Sequence, residues 1–249
     1  MATMGDLHED VLVEILSHVP GKELVLRCRL VCRLWKELVD GTHIWKEKCI
    51  REKFFKRDMH WIPEDWMKLY FLLPTVNLIK NPCAEEGFQF WDIEDNGGDE
   101  WKIETLPGAH GQTLPDGTVK KYFVTSYGLC RKSQKIDLLA YGLWRNLLDL
   151  MQPKIVVSDW YAARRDCGCV YTLEVELLSE DGKPIHKYTS EQVTIPQWSD
   201  AKWNQMTHVF TDYGPGVRYV RFAHEGRDTQ FWAGWYGVRV TNSSVTIEL

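Results

Sequence analysis

The stretch DTQFWAGWYG, residues 228–237, places Phe231, Trp232, Trp235 and Tyr236 within ten positions, with Ala233, Gly234 and Gly237 among them. Rings held this closely in glycine-containing sequence suit one kind of non-covalent chemistry. A pyranose has one face of C–H bonds and a rim of hydroxyls. The face packs on an indole or phenyl ring, while the hydroxyls, or an N-acetyl amide, require carboxylate or backbone partners. Rings on a loop beside a carboxylate therefore make a lectin-like site, apolar with a few placed polar groups. The same rings can instead close the end of a core. Trp235, flanked by Gly234 and leading through Tyr236 into an alternating stretch, suits that second role.

Covalent chemistry finds little support. No G-x-G-x-x-G or G-x-x-x-x-G-K phosphate loop, G-x-S-x-G elbow or H-E-x-x-H pair occurs, and the eight histidines are scattered singly. Asp159, Asp166, Glu174, Asp212 and Asp228 could supply a glycosidase pair, but sequence does not set the separation of two carboxylates. A glycan hydrolase thus stands only as an alternative. The seven cysteines have no paired C-x-x-C, only the C-x-C of Cys167 and Cys169, so neither a structural metal nor another cofactor is expected. An odd cysteine count and a first segment, MATMGDLHED, without a basic or apolar leader lead to the expectation of free thiols in a cytoplasmic protein. On that reading the acceptor-like NSS at 242–244 stays unmodified.

Lys and Arg total 30 against 35 Asp and Glu, a net charge of −5, which argues against a general nucleic-acid or membrane-surface binder. No apolar run is long enough to cross a bilayer. With 249 residues, 44% of them hydrophobic, and twelve tryptophans, one or two packed domains are expected.

The elements that must position these residues fall into two regions. From residue 6 to about 72 the spacing is helical. Asp6 with Glu9 resembles a capping box, and Leu7, Val11, Leu12, Ile15, Leu16 and Val19 recur behind it until Pro20-Gly21. A second helical run extends from Lys22 to Asp40-Gly41, a third covers about 44–53, and a fourth covers 63–73, ending at Pro74. Several of these are apolar on more than one side and call for a partner or a second domain. From about Val76 the pattern becomes short strands and turns. YTLEVELL, 171–178, alternates strictly, SEDGK follows as a turn, and further strands are expected at 121–127, 154–160, 217–222, 236–240 and 245–249. A helical insert is expected at 137–151, with Leu138, Leu147 and Leu148 inward. Many short strands at this spacing indicate an antiparallel sandwich, so the fold class is α+β and multidomain.

Residues 7–49, from LHEDVLVEILSHVP through VCRLW to IWKEKC, resemble an F-box, with Leu7-His8 where Leu-Pro is usual. NLIKNPCAEEGF (77–88), NGGDEWKIE (96–104), KKYFVTSY (120–127), DWYAARRDCGC (159–169), DYGPGVRYVRF (212–222) and DTQFWAGWYGVRVTNSS (228–244) resemble, in order, the F-box-associated domain of the sugar-recognising F-box proteins. The resemblance implies an F-box over 4–50, a helical linker over 51–75 and a jelly-roll-like, lectin-like β-sandwich over 76–249. It implies a non-catalytic substrate receptor of an SCF ubiquitin ligase, joined through a Skp-type adaptor to a cullin–RING core. Its clients would be misfolded N-glycosylated proteins, held by the inner chitobiose of high-mannose glycans and sent to ER-associated degradation. Carried over by motif, Tyr127 and Phe231 wall the glycan site, Trp232 stacks on a sugar face and Asp166 accepts from hydroxyl or amide N–H groups. Leu7, Val11, Ile15, Leu16, Val19, Pro20, Leu24, Val31 and Trp35 meet the adaptor. Some members carry Lys where Ala233 stands, so this chain has one donor fewer there.

Overall fold

The computed structural model describes residues 7–52, 65–72 and 76–248. They divide between Val76 and Asn77 into two compact units. The first is helical. Helix α1 (Glu9–Ser17) starts at His8, whose ring Nδ1 accepts from the Asp10 N–H at 3.5 Å, a long contact. The residue standing in place of the usual proline thus caps the helix itself; the other expected cap, Asp6, lies outside the described residues. Leu12, Val13 and Leu16 are buried, on one face of the helical period.

The run expected to continue from Lys22 to Asp40 is broken. It forms α2 (Gly21–Leu26), a 3₁₀ turn at Cys28–Leu30 and α3 (Arg33–Asp40), with extended backbone at Cys32. Arg29 donates to both carboxylate oxygens of Asp40 at 2.5 and 3.0 Å. In an unbroken helix these residues would lie about 16 Å apart along the axis, so the break is what allows the pair. Leu24 and Val39, on either side of the break, are both fully buried. Helix α4 (Thr42–Arg51) supplies the centre: Trp45 is fully buried and donates its indole N–H to the Val39 carbonyl at 2.7 Å. Buried Lys48 donates to the Ser17 and Val19 carbonyls at 3.2 and 2.8 Å, where α1 leaves carbonyls unpaired. Helix α5 (Trp66–Leu72) lays Tyr70 and Phe71 against Trp45, each with ring centroids 5.3 Å apart.

The second unit is a sandwich of two antiparallel sheets. One has the order β1 (Asp92–Asn96), β4 (Cys130–Asp137), β10 (Val217–Asp228), β6 (Cys169–Ser179), β7 (Pro184–Thr189), with β8 (Val193–Ile195) also on β6. The other has the order β2 (Lys102–Thr105), β3 (Lys121–Val124), β11 (Arg239–Glu248), β5 (Lys154–Ala162), β9 (Asn204–Phe210). In β6 the expected alternation is present: Tyr171, Leu173, Val175 and Leu177 are fully buried. Its outward residues join an ion network in which Arg131 and Arg221 bind Glu94, Glu174 and Glu225. Against the desolvation of partial burial, hydrogen bonds from Ser133, Arg221 and Arg131 hold Glu94 down at about 2.

Two expectations change. Within the expected stretches 236–240 and 245–249, Arg239, Val240 and 245–248 belong to one strand, β11, with a register shift between Thr241 and Ser244 where Asn242 takes φ +51°. The insert at 137–151 is turns ending in a single π-helical turn at Leu147–Met151; Gly142 at φ +97° interrupts any longer helix. Asp149 holds this insert in place by accepting two bonds from Arg218, both 2.8 Å, and one from the Gly216 N–H at 2.8 Å. Leu138, Leu147 and Leu148 are buried as expected.

The sandwich interior contains a polar cluster. Asp159 accepts from Tyr171 and Ser243, each at 2.7 Å, and lies 2.7 Å from His224 Nδ1. His224 stacks on Trp91 (5.2 Å, 9°), and Lys132, opposite His224 in the ladder, sets its amine 3.1 Å from the Trp91 ring centre. Burial pushes Lys132 well below the usual amine range. Burial, and then the Lys132 charge, take His224 down to about 4. A histidine with a lowered folded pKa stabilises the fold fully above its unfolded pKa, and that stability is lost as pH falls toward the folded value. Urea denaturation of the full chain is therefore expected to show stability falling between pH 6.5 and 4, with His224 contributing no more than about 1.4 kcal/mol per pH unit. His224→Gln should flatten this interval; a slope unchanged by the substitution would place the proton uptake elsewhere.

Candidate functional site

The strand registers bring five connections to one end of the sandwich. Cys130 pairs with Asn96 and Gly226, Cys169 with Asp228 and Ile195, Arg239 with Val124 and Ala162, and Tyr161 with Asn204. The loops β1–β2, β3–β4, β5–β6, β8–β9 and β10–β11 therefore share that end, and with them Tyr127, Asp166, Phe231 and Trp232.

The β10–β11 loop is shaped by Asp228. Its carboxylate is fully buried and accepts from the backbone N–H groups of Gln230 (2.9 Å) and Phe231 (2.5 Å), an Asx turn. Phe231 is thereby held at φ +55° and stands 64% exposed; Trp232 is 40% exposed. The Arg227 guanidinium covers one side of Phe231, 5.2 Å from the ring centre.

The second pair of rings is tied down. Trp235 donates its indole N–H to the Asp99 carbonyl at 3.0 Å, and Lys102 lies 4.0 Å from its ring. The Gly234 N–H reaches the Asp99 carboxylate at 2.5 Å, and the Gly234 carbonyl accepts from Ser126 at 2.7 Å. Gly234 has φ +112°, and a Cβ there would meet the Tyr236 ring at 2.9 Å. Tyr236 takes the edge of Trp232 (5.5 Å, 90°) and carries the Arg164 guanidinium 4.5 Å from its ring centre.

Asp166 is half-buried and bound by Arg164 through two bonds of 2.9 and 3.0 Å, with His110 at 3.7 Å. The hydrogen bonds from Arg164 hold this carboxyl below its ordinary value, so it is an anion at neutral pH. A carboxylate has further lone pairs for a ligand's O–H or N–H. Through Arg164 it is joined to Tyr236 and so to Trp232. Tyr127 is half-buried, carried between Ser126, which holds the β10–β11 loop, and Gly128, which packs against Gly97 and Gly98 so closely that a Cβ would lie 2.4 Å from the Gly98 nitrogen.

Asp99, Arg164 and Asp228 position the site, yet no role was expected of Asp99 or Arg164. The Asx-forming order D-T-Q-F is the signal for Asp228. The contacts of Asp99 and Arg164 are made across loops and leave no local signature.

The other carboxylates are committed. Asp159 and Asp228 are fully buried. Glu174 binds Arg131, Arg221 and Lys187, and Asp212 lies in the β9–β10 turn at the opposite end. That leaves Asp166 alone of these five candidates both at the ring-bearing end and open to solvent. All seven thiols are free, and among the described residues no cluster of three or more His, Cys, Asp or Glu could hold a metal. No helix among the described residues is long and apolar enough to cross a membrane.

In the helical unit, Leu7, Val11, Ile15, Pro20 and Val31 are exposed and Val19 and Trp35 half-buried. Leu16 and Leu24 are buried, so they hold the helices together and are not surface contacts for an adaptor. Leu26 and Leu30 were not among the expected contacts, yet they are exposed, Leu30 by 74% and Val31 beside it by 62%. The 3₁₀ turn at Cys28–Leu30 presents them; periodicity over an unbroken helix does not reveal it.

Comparison with known proteins agrees with both units. Residues 5–51 match the family described as F-box-like and residues 74–247 the family described as F-box associated region. The chain is 52% identical over 248 residues to F-box only protein 6 of Bos taurus, covering 99% of this chain and 94% of that one. It is 51% identical over 248 residues to F-box only protein 44 of Homo sapiens (99% and 97%), and 48% identical over 254 residues to F-box only protein 2 of Bos taurus (99% and 84%). The chain belongs to the F-box proteins that carry an F-box associated region.

Proposed function

We propose that this chain holds the inner chitobiose of high-mannose N-glycans on misfolded glycoproteins and presents them, in the cytosol, for ubiquitination and ER-associated degradation. Its family makes it a non-catalytic substrate receptor of an SCF ubiquitin ligase, with the F-box toward the Skp-type adaptor and the cullin core. The glycan reading rests on one observation above all. Two aromatic rings, Phe231 and Trp232, are kept in solvent by a buried Asx turn, on the same sandwich end as the anionic Asp166. Exposed rings give the C–H faces of two N-acetylglucosamines a surface to pack on, and Asp166 gives their N–H and O–H groups an acceptor.

Two exposed rings and one carboxylate support a disaccharide affinity of roughly micromolar to millimolar order. Trp232→Ala in the full chain should weaken chitobiose binding by about tenfold or more in calorimetry, since aromatic stacking is worth about 1 kcal/mol beyond its buried area. Its melting temperature should stay close to that of the parent. Undiminished affinity in this variant would remove the glycan site, and a glycan array without signal would leave a receptor that reads protein surfaces.

The adaptor side is tested separately. Leu30→Asp with Val31→Asp places two charges on an exposed apolar surface without touching the core. It should abolish co-purification with a Skp-type adaptor and leave chitobiose affinity unchanged. Retained adaptor binding would move that interface away from the 3₁₀ turn.

A further inference from the structure

At the same end of the sandwich stands a tryptophan to which the site above gives no role. Trp198, in the β8–β9 loop, is 71% exposed, the most exposed tryptophan among the described residues. Its backbone has φ +66°, a conformation rarely adopted by a bulky residue and costly to hold. The fold nonetheless holds it there. The Trp198 N–H donates to the Arg165 carbonyl at 2.7 Å, and the Gln197 carboxamide donates to the Asp166 carbonyl at 3.0 Å. Gly168 packs against the Ile195 carbonyl and the Gln197 nitrogen so tightly that a Cβ would come within 2.7 and 2.9 Å of them.

Trp198 lines a cleft with Gln112, Arg165, Ser199 and Asp200. Gln112 is fixed from both sides: its carbonyl accepts from the Trp203 indole at 2.9 Å and its side chain donates to the Asp200 carbonyl. The cleft offers one cation, one carboxylate, one carboxamide and one hydroxyl beside an indole. Such a lining has donors and acceptors in balance and no excess of either charge. It matches a neutral polyhydroxylated ring, with a C–H face for the indole, better than a phosphate or an acidic sugar. The β5–β6 segment joins this cleft to the first site: Asp166 reaches Tyr236, and so Trp232, through Arg164, and reaches the residue preceding Trp198 through its own carbonyl.

We infer that Trp198 is a second stacking platform, holding a neutral hexose of the same glycan beyond the chitobiose. The inference rests on the glycan reading given above. It makes the length of the oligosaccharide, and not the disaccharide alone, a determinant of affinity.

Calorimetry on the full chain separates the two claims, using N,N′-diacetylchitobiose and the pentasaccharide that extends it by three mannoses. The parent should bind the pentasaccharide more tightly. Trp198→Gly should leave disaccharide affinity unchanged and weaken the pentasaccharide about tenfold. Its melting temperature should not fall, because glycine accepts this backbone conformation and an exposed ring leaves no cavity. Trp198→Phe should retain most of the pentasaccharide affinity. If Trp232→Ala weakens both ligands while Trp198→Gly weakens neither, the second platform is wrong and the first site stands. If Trp198→Gly weakens binding only to an intact glycoprotein, the ring reads polypeptide and the sugar subsite is equally overturned. If the parent binds neither sugar, both claims fall together.

Discussion

A single carboxylate removed from water sets the shape of the site. Asp228 ends the central strand β10 with no solvent exposure, and a polar group buried in this way costs free energy unless it is hydrogen-bonded. Its Oδ1 accepts from the first backbone N–H groups of the following loop. To point those groups inward, the chain must turn sharply, and Phe231 enters the left-handed region. The buried carboxyl group of Asp228 and the strain at Phe231 belong to one device. Neither would persist without the other, and the outcome is a pair of rings held out in water. Hydrophobic burial alone would have folded them into the core.

The remaining loops make that arrangement rigid. Asp99 and Ser126 take up the Gly234 backbone groups from two other connections, and Trp235 and Tyr236 settle against them. Arg164 does double duty, pairing with Asp166 and covering Tyr236. A ligand meeting such a surface pays little to order it, which matters when few contacts are available. Of the positive-φ non-glycine residues in the five connections at this end, Glu100, Trp198, Ala201 and Phe231, the two aromatic ones also carry its most exposed rings. Strain of this kind persists only where the surrounding bonds over-determine it.

Much of this organisation was legible in the residues. The alternation of β6 needed only a period of two, and the change from helical to strand spacing near Val76 falls at the boundary between the units. What could not be read is long-range. The helix expected over 22–40 is broken, and Arg29 pairs with Asp40 across the break, a demand that no local window contains. The same break turns Leu30 outward and leaves Leu24, carried over by motif as an adaptor contact, buried. In the insert at 137–151 the apolar positions were right and the helix was not, since Asp149 serves Arg218 and Gly216 on β10 in preference to a regular helix. The four residues carried over to the glycan site do share one end of the sandwich. Asp99 and Arg164, which hold the rings and the carboxylate in place, could be recognised only once the five connections were seen to meet.

The two units divide the physics of recognition as well as its chemistry. An apolar turn such as Leu30–Val31 offers a partner area to bury, and buried area with good packing supports a lasting complex. On the glycan reading proposed above, loop rings facing a sugar would offer little area to a strongly hydrated ligand, and each contact would be brief. A receptor with one durable face and one transient face stays on its ligase while sampling many clients. A client bearing one accessible glycan is released quickly, whereas one offering several glycans, or unfolded polypeptide beside a glycan, rebinds before it escapes.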